Sequence, residues 1–189
     1  MSNKSKYSIL IIFLITLVIF PVYYKNKNVS NEIVNSEISS PSLNYENVLI
    51  YIKEGNNTAA FELLTKCDTF APCQTLLGYF YAQNSIGNDH NKSLAIFYSK
   101  EAIKVKSVKA MHNLGVIYLK DKNYKEAVKY LSMGAENRSH EANYNMGLIY
   151  LYGWGVDKNI TKSYEYMNEA NNLGSTKSLE VIRYLKTVM

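Results

Sequence analysis

One pattern recurs three times in this chain and narrows what it can fold into. Leu77-Gly78-x-x-Tyr81, Leu114-Gly115-x-x-Tyr118 and Met146-Gly147-x-x-Tyr150 are the same short signature. Four residues ahead of each Leu or Met stands a small residue: Cys73, Ala110 or Ala142. A second signature follows each first one, as Ala95-x-x-Tyr98-x-x-x-Ala102, Ala127-x-x-Tyr130-x-x-x-Gly134 and Ser163-x-x-Tyr166-x-x-x-Ala170. The three glycines are 37 and then 32 residues apart. Self-similarity at such a period marks stacked repeats, each a supersecondary unit that buries its apolar face only against its neighbours.

The spacings within each signature are helical, and no run of the chain reads as a strand. Each unit is therefore expected to be a helical hairpin. The small residue and the glycine one turn later let neighbouring backbones approach closely, and the tyrosine fills the gap beyond them. By this reading Tyr81, Tyr98, Tyr118, Tyr130, Tyr150 and Tyr166 are core residues. In the second helix the small residues at i and i+7 face the next hairpin. After the third signature, Gly153-Trp154-Gly155 supplies the positive-φ positions that turn the chain between helices. A degenerate earlier unit places Tyr51, Ala60, Leu63 and Cys67 at corresponding positions, and a segment from about Ser175 to Thr187 reads as an unpaired capping helix.

The combined pattern resembles the Sel-one-like repeat family, a relative of the tetratricopeptide repeat. Residues 142–174 carry it best, as A-x-x-x-M-G-x-x-Y-x-x-G-x-G-V-x-x-x-x-x-K-S-x-x-Y-x-x-x-A-x-x-x-G, with Ser163 where alanine is usual. The units at 73–105 and 110–137 lack the G-x-G-V turn and read partly as tetratricopeptide, and the unit at 43–67 matches least. The resemblance covers about residues 43–187. It implies an all-α, right-handed α-solenoid whose concave face is lined by the first helices.

Within that register Cys67 ends one second helix and Cys73 begins the next first helix. The resemblance implies that these positions touch, within the 4.4–6.8 Å of Cα separation a disulfide requires. Only these two cysteines occur, so a bridge between them suits an oxidising compartment. His90, His112 and His140 are too widely spaced to complete a zinc site with them.

The register also implies a partner-binding surface. Tyr79, His112, Val116, Lys120, Tyr144, Leu148 and Tyr152 project from the first helices between the core positions, and aromatic residues are common binding anchors. Trp154, the only tryptophan, sits in a turn, where two roles are open: an exposed anchor or a lid over the repeat.

The ends of the chain speak to location. Residues Tyr7 to Tyr24 form an 18-residue run without charge. As a helix rising 1.5 Å per residue it would span roughly 27 Å, close to the hydrocarbon thickness of a bilayer. Tyr7, Tyr23 and Tyr24 stand where an interfacial aromatic belt would. No A-x-A-like cleavage site follows Phe20, which favours an uncleaved anchor over a signal peptide. Two lysines flank each side, Lys4 with Lys6 and Lys25 with Lys27, and the terminal amine tips the balance toward N-inside. Residues 25–42, rich in Asn, Ser and Glu, read as a flexible tether.

Charge and motifs then exclude classes of function. The net charge of +5 is carried largely by those four flanking lysines; without them the 21 basic residues fall to 17, against 16 acidic. Such a near-neutral domain has no nucleic-acid footprint. No G-x-S-x-G, S-x-x-K, H-E-x-x-H, P-loop or G-x-G-x-x-G occurs, and nothing calls for a cofactor. The expectation is a non-enzymatic, protein-binding scaffold in the inner membrane of a bacterium, with its repeats in the periplasm. The resemblance makes one version concrete: an immunity protein neutralising a secreted toxin such as a type VI lipase effector. Two alternatives stand beside it, an adaptor of an envelope or signalling complex and a hydrolase of cell-wall or β-lactam substrates.

Overall fold

The structure, a computed structural model, describes residues 40–83 and 92–189. The chain divides into two compact units, Met1–Asn44 and Tyr45–Met189. The expected anchor, Tyr7–Tyr24, and most of the expected tether lie outside the described residues. No helix among those described is long and apolar enough to cross a membrane.

Helices alone build the described chain. They are α1 (Pro41–Lys53), α2 (Asn57–Leu64), α3 (Ala71–Gln83), α4 (Lys92–Lys104), α5 (Val108–Lys120), α6 (Tyr124–Glu136), α7 (His140–Tyr152), α8 (Ile160–Asn172) and α9 (Ser178–Val188), with a short 3-10 turn at Thr65–Cys67. Each of α3 through α8 has 13 residues. At 1.5 Å per residue each is about 20 Å long, so successive hairpins stack without overhang.

Local chemistry sets these lengths. Ser107, Asn123, Ser139 and Asn159 cap α5 through α8, each side chain accepting from the third backbone N–H of its helix. Helices α1 and α4 through α8 stop at left-handed residues. Glycine supplies this at Gly55, Gly153 and Gly174, whereas Lys106, Lys122 and Arg138 adopt it with φ of 62°, 57° and 62°. Behind each of these three, paired backbone bonds close the turn, as Lys122 N–H to the Leu119 carbonyl and Asn123 N–H to the Tyr118 carbonyl.

The repeated glycines join the two helices of a hairpin. A Cβ built on Gly115 would lie 2.5 Å from Leu131 Cγ, and one on Gly147 would lie 2.8 Å from Met167 Cε. Gly78 is the equivalent in the α3/α4 hairpin, but it faces Ser99 rather than a large apolar residue. The joint between hairpins uses the other small positions: a Cβ on Gly134 of α6 would sit 2.8 Å from that of Ala142 in α7. Around these contacts the buried Leu77, Leu114, Leu131, Met146, Ile149 and Met167 form the spine of the core.

The signature tyrosines pack on the core as expected, but at its edge. Of the six, only Tyr130 is buried. They instead form one stacked pair per hairpin: Tyr81 on Tyr98, Tyr118 on Tyr130 and Tyr150 on Tyr166, with centroids 5.9, 5.7 and 5.6 Å apart and planes within 12° of parallel. The physical reason is their place at the edge of the helix–helix groove, where two flat rings lie together over the apolar seam. Burial raises the phenol pKa of Tyr81, Tyr98, Tyr118 and Tyr166.

Helix α9 packs against α8, where Ile182 and Leu185 join the cluster around Met167. Ser178, Ile182 and Leu185 occupy the places of Ala142, Met146 and Ile149, each 36 residues on, and are buried like them. At the same offset Arg183 stands for Gly147 and Lys186 for Tyr150, and both are exposed. Charge and bulk thus stand where the earlier repeats have a glycine and a tyrosine.

Candidate protein-binding face

The helical register places the residues of the first helices that flank the core positions in rows, from the buried Thr75 to the exposed Tyr79, Tyr152 and Tyr184. One position past each signature glycine stand Tyr79, Val116, Leu148 and, after α9 is aligned, Tyr184. Three positions before it stand Thr75, His112, Tyr144 and Glu180; five positions after it stand Gln83, Lys120, Tyr152 and Val188. Residues one turn apart on a helix share a face, so the rows run side by side across the solenoid.

Two concavities lie along these rows. The first, of about 270 Å³, spans α3, α5 and the start of α7 and includes Tyr79, Lys109, His112, Asn113 and Glu141. The second, of about 500 Å³, lies among α7, α8 and α9, with Leu148, Leu151, Tyr152, Ile160, Val181 and Tyr184 as its apolar lining and Lys158 and Glu180 as its charges. Tyr79, Tyr152 and Tyr184 are 44%, 51% and 55% exposed, as anchors for a partner must be.

The sequence-expected residues divide between these places. Tyr79 and His112 fall in the first concavity, Leu148 and Tyr152 in the second. Lys120 is exposed and Val116 partly so, outside both linings. Tyr144 and Leu148 are half-buried and pack against the Met167, Ile182 and Leu185 cluster, so they serve the core as well as the surface. Tyr184 and Val181 were missed by sequence reading. Aligning α9 with the earlier first helices by its buried Ser178, Ile182 and Leu185 would have found Tyr184.

Trp154 is partly buried against the body of the repeats. Its ring stacks on Tyr152 at 5.0 Å and on Tyr124 at 6.3 Å, and it packs on the cluster around Leu131 and Met146. Gly155 makes this possible, because its backbone, at φ +74°, lies where a Cβ would come within 2.5 Å of Tyr124 Cβ. The Gly153–Gly155 turn thus reaches back over the start of α6 in the previous hairpin, and the indole acts as a lid there.

The polar groups of the first concavity form a connected set. Asn145 of α7 donates through Nδ2 to the Glu141 carbonyl at 2.9 Å, and the same nitrogen lies 3.0 Å from His112 Nε2 on α5. Burial lowers the His112 pKa, against the opposing pull of Glu141 and a hydrogen bond with Asn113. Burial also pushes the Glu141 carboxyl up, but a backbone hydrogen bond, the Ser139 hydroxyl at 2.9 Å, and then His140 and His112 hold it below its ordinary range. Thr75 and Ser107 share a 2.9 Å hydroxyl contact that ties α3 to the cap of α5.

Cys67 and Cys73 are joined in a disulfide, with Cα atoms 5.9 Å apart and both residues buried. The bridge ties the turn after α2 to the first turn of α3. Among the described residues no three His, Cys, Asp or Glu side chains gather as a metal site.

Stacked helical hairpins with graded, small-residue joints define an α-solenoid of short repeats, a class that presents extended surfaces to partners. Residues 71–104, 108–139 and 140–175 each match the Sel1 repeat, and the chain belongs to that family. Among solved structures it is similar to a Sel1 repeat protein from Oxalobacter formigenes, at 26% identity over 74% of this chain and 57% of that one, with a TM-score of 0.64. It is also similar in fold to a protective antigen of uropathogenic Escherichia coli strains, at 21% identity over 78% of this chain and 33% of that one, with a TM-score of 0.68. The chain thus spans just over half of the first protein and a third of the second. No protein of curated function matches it.

Proposed function

We propose that this Sel1-repeat solenoid is an interaction scaffold that binds a partner protein along the face of its first helices. The observation that carries the reading is the row Tyr79, Val116, Leu148 and Tyr184, exposed at its two tyrosines and partly exposed between them, with the exposed Tyr152 beside it and two concavities along it. Exposed aromatics beside pockets are the form that binding hot spots take.

The finer reading is that the scaffold is anchored in a bacterial inner membrane with its repeats in the periplasm. There it would act as an immunity protein against a secreted toxin, such as a type VI lipase effector. The uncharged Tyr7–Tyr24 run and its flanking lysines support the anchor. A buried Cys67–Cys73 bridge suits an oxidising compartment. Fractionation and a protection assay test the two parts separately. The full-length chain should pellet with membranes, with residues 43–189 open to protease from outside the cytoplasm. Cells expressing it should survive a cognate toxin delivered to the periplasm. A soluble product beginning after residue 20 would remove the anchor, and capture of an envelope complex without protection would favour the adaptor reading.

A further inference from the structure

The tie between His112 and Asn145 joins two first helices that belong to successive hairpins. Asn145 cannot turn its amide over freely, because Nδ2 also donates to the Glu141 carbonyl at 2.9 Å. Flipping the group would set its oxygen against that carbonyl. The two protons of Nδ2 therefore point at the Glu141 carbonyl and at His112 Nε2, and Nε2 must accept. Only the neutral imidazole protonated on Nδ1 can do this. A proton on Nε2 would place donor against donor at 3.0 Å.

The surroundings offer the protonated ring a second arrangement. The titratable groups that share its cavity are Tyr79 from α3, Lys109 from its own helix, and Glu141 from α7; His140 of α7 also acts on it. From α6, Gly134 packs beside the His112 backbone, where a Cβ would lie 3.7 Å from its nitrogen, and glycine brings no charge. Of these only the Glu141 carboxylate attracts an imidazolium, and it is held ionised by Ser139 and His140. The neutral ring binds the Asn145 amide, whereas the charged ring favours the carboxylate one turn earlier on the same helix.

We infer that His112 is a pH-sensitive latch on the first-helix face: neutral, it fixes the spacing of α5 and α7 through Asn145, and protonated, it releases Asn145 and re-pairs with Glu141. Where packed helices shift between two states at an interface, the movement is about 1–2 Å, and that is the scale expected here. The consequence for partner binding rests on the reading of this face given above, since the first concavity would change shape as the latch opens. The latch itself needs no partner, and its burial-lowered pKa means that the closed state is the one present at neutral pH.

The test uses the full chain without any partner, so its outcome is independent of whether the face binds anything. Nitrogen chemical shifts of His112 should report the Nδ1–H tautomer at pH 8. Spin labels on exposed positions of α5 and α7 should show a spacing change of about 1–2 Å that follows the His112 titration. In Asn145→Ala the spacing should no longer follow pH. In Asn145→Asp, where a carboxylate replaces the donor, the His112 pKa should rise above its ordinary 6.5. His112→Gln keeps an acceptor without a titration, and should hold the closed spacing at every pH. An Nε2–H tautomer at pH 8, or a constant spacing across the His112 titration in the parent chain, would overturn the inference.

Discussion

The indole of Trp154 lies parallel to the ring of Tyr124, with 6.3 Å between centroids and 9° between planes, although the two residues belong to different hairpins. The contact exists because Gly155 beside it has no side chain, and it turns a loop into a clamp on the preceding repeat. Trp154→Ala should therefore lower stability by about 2 kcal/mol, less than the 3–5 of a fully buried aromatic, because the ring is only partly covered. Gly155→Ala should cost at least as much, since a Cβ both collides with Tyr124 and strains a positive φ. Urea denaturation of each variant gives the answer. Unchanged midpoints would mean that the clamp contributes nothing.

Two buried serines should respond to the same substitution with opposite sign. Ser163 Oγ donates to the Gly147 carbonyl at 2.8 Å, bridging α8 to α7. Ser99 Oγ is equally buried and has no hydrogen-bond partner among the described residues. A buried hydroxyl without a partner costs about 1–3 kcal/mol, and a satisfied one contributes about 1. Ser99→Ala should accordingly raise the denaturation midpoint, and Ser163→Ala should lower it by an amount worth about 1 kcal/mol.

The left-handed helix ends make a third test. Lys122 holds φ at 57° at the end of α5, where glycine serves the same purpose after α7. Lys122→Gly relieves a strain of about 1–2 kcal/mol in the folded state but gains backbone freedom in the unfolded one. The net expectation is a gain of roughly 0.5–1 kcal/mol. Thermal denaturation should then show a higher midpoint for Lys122→Gly, and a lower one for Gly153→Ala, where a Cβ would also lie 2.8 Å from Lys158 Cγ.

Stability should depend on pH through His112. Its folded pKa lies below the ordinary 6.5, so above that value both folded and unfolded chains hold a neutral ring. As pH falls through 6.5 the unfolded chain binds the proton first, and stability declines until the folded pKa is passed. Glu141, lowered from 4.5, adds a separate loss as pH falls through that range toward its own folded value. Denaturation measured between pH 8 and 5 should show the first decline in the parent chain and not in His112→Gln.

The binding face is best probed where it is not also core. Tyr152 and Tyr184 both line the second concavity and are more than half exposed, whereas Tyr144 packs against the Met167 cluster. Tyr152→Ala with Tyr184→Ala should weaken partner binding by about 2 kcal/mol, roughly 30-fold, with helicity kept and a stability loss limited to the about 0.5–1.5 kcal/mol of the Tyr152–Trp154 stack. Tyr144→Ala should weaken binding only together with a loss of stability. Calorimetric titration beside a melting curve separates the two.

How much of this was legible in the sequence follows from which contacts are local. The spacing of Gly115 to Tyr118, and of Ala127 to Tyr130 and Gly134, is a property of one helix at a time, so it announced helical hairpins and carried the resemblance to the repeat family. Repeat register extended that to rows on the surface, and Tyr79, His112, Leu148 and Tyr152 line the two concavities for that reason. The rest depended on groups that meet only after the hairpins have stacked. The tyrosines became stacked pairs at the edge of the core, because how deep a ring sits is set by the helix opposite and not by its own spacing. The direction in which the Gly153–Gly155 turn folded back, and so the role of Trp154, was set by Tyr124 some 30 residues earlier. Asn145 reaches His112 across 33 residues of chain, and no pattern in either helix encodes that meeting. A periodic sequence determines its repeats because their geometry is local, and only the tertiary structure decides which side chains face one another between them.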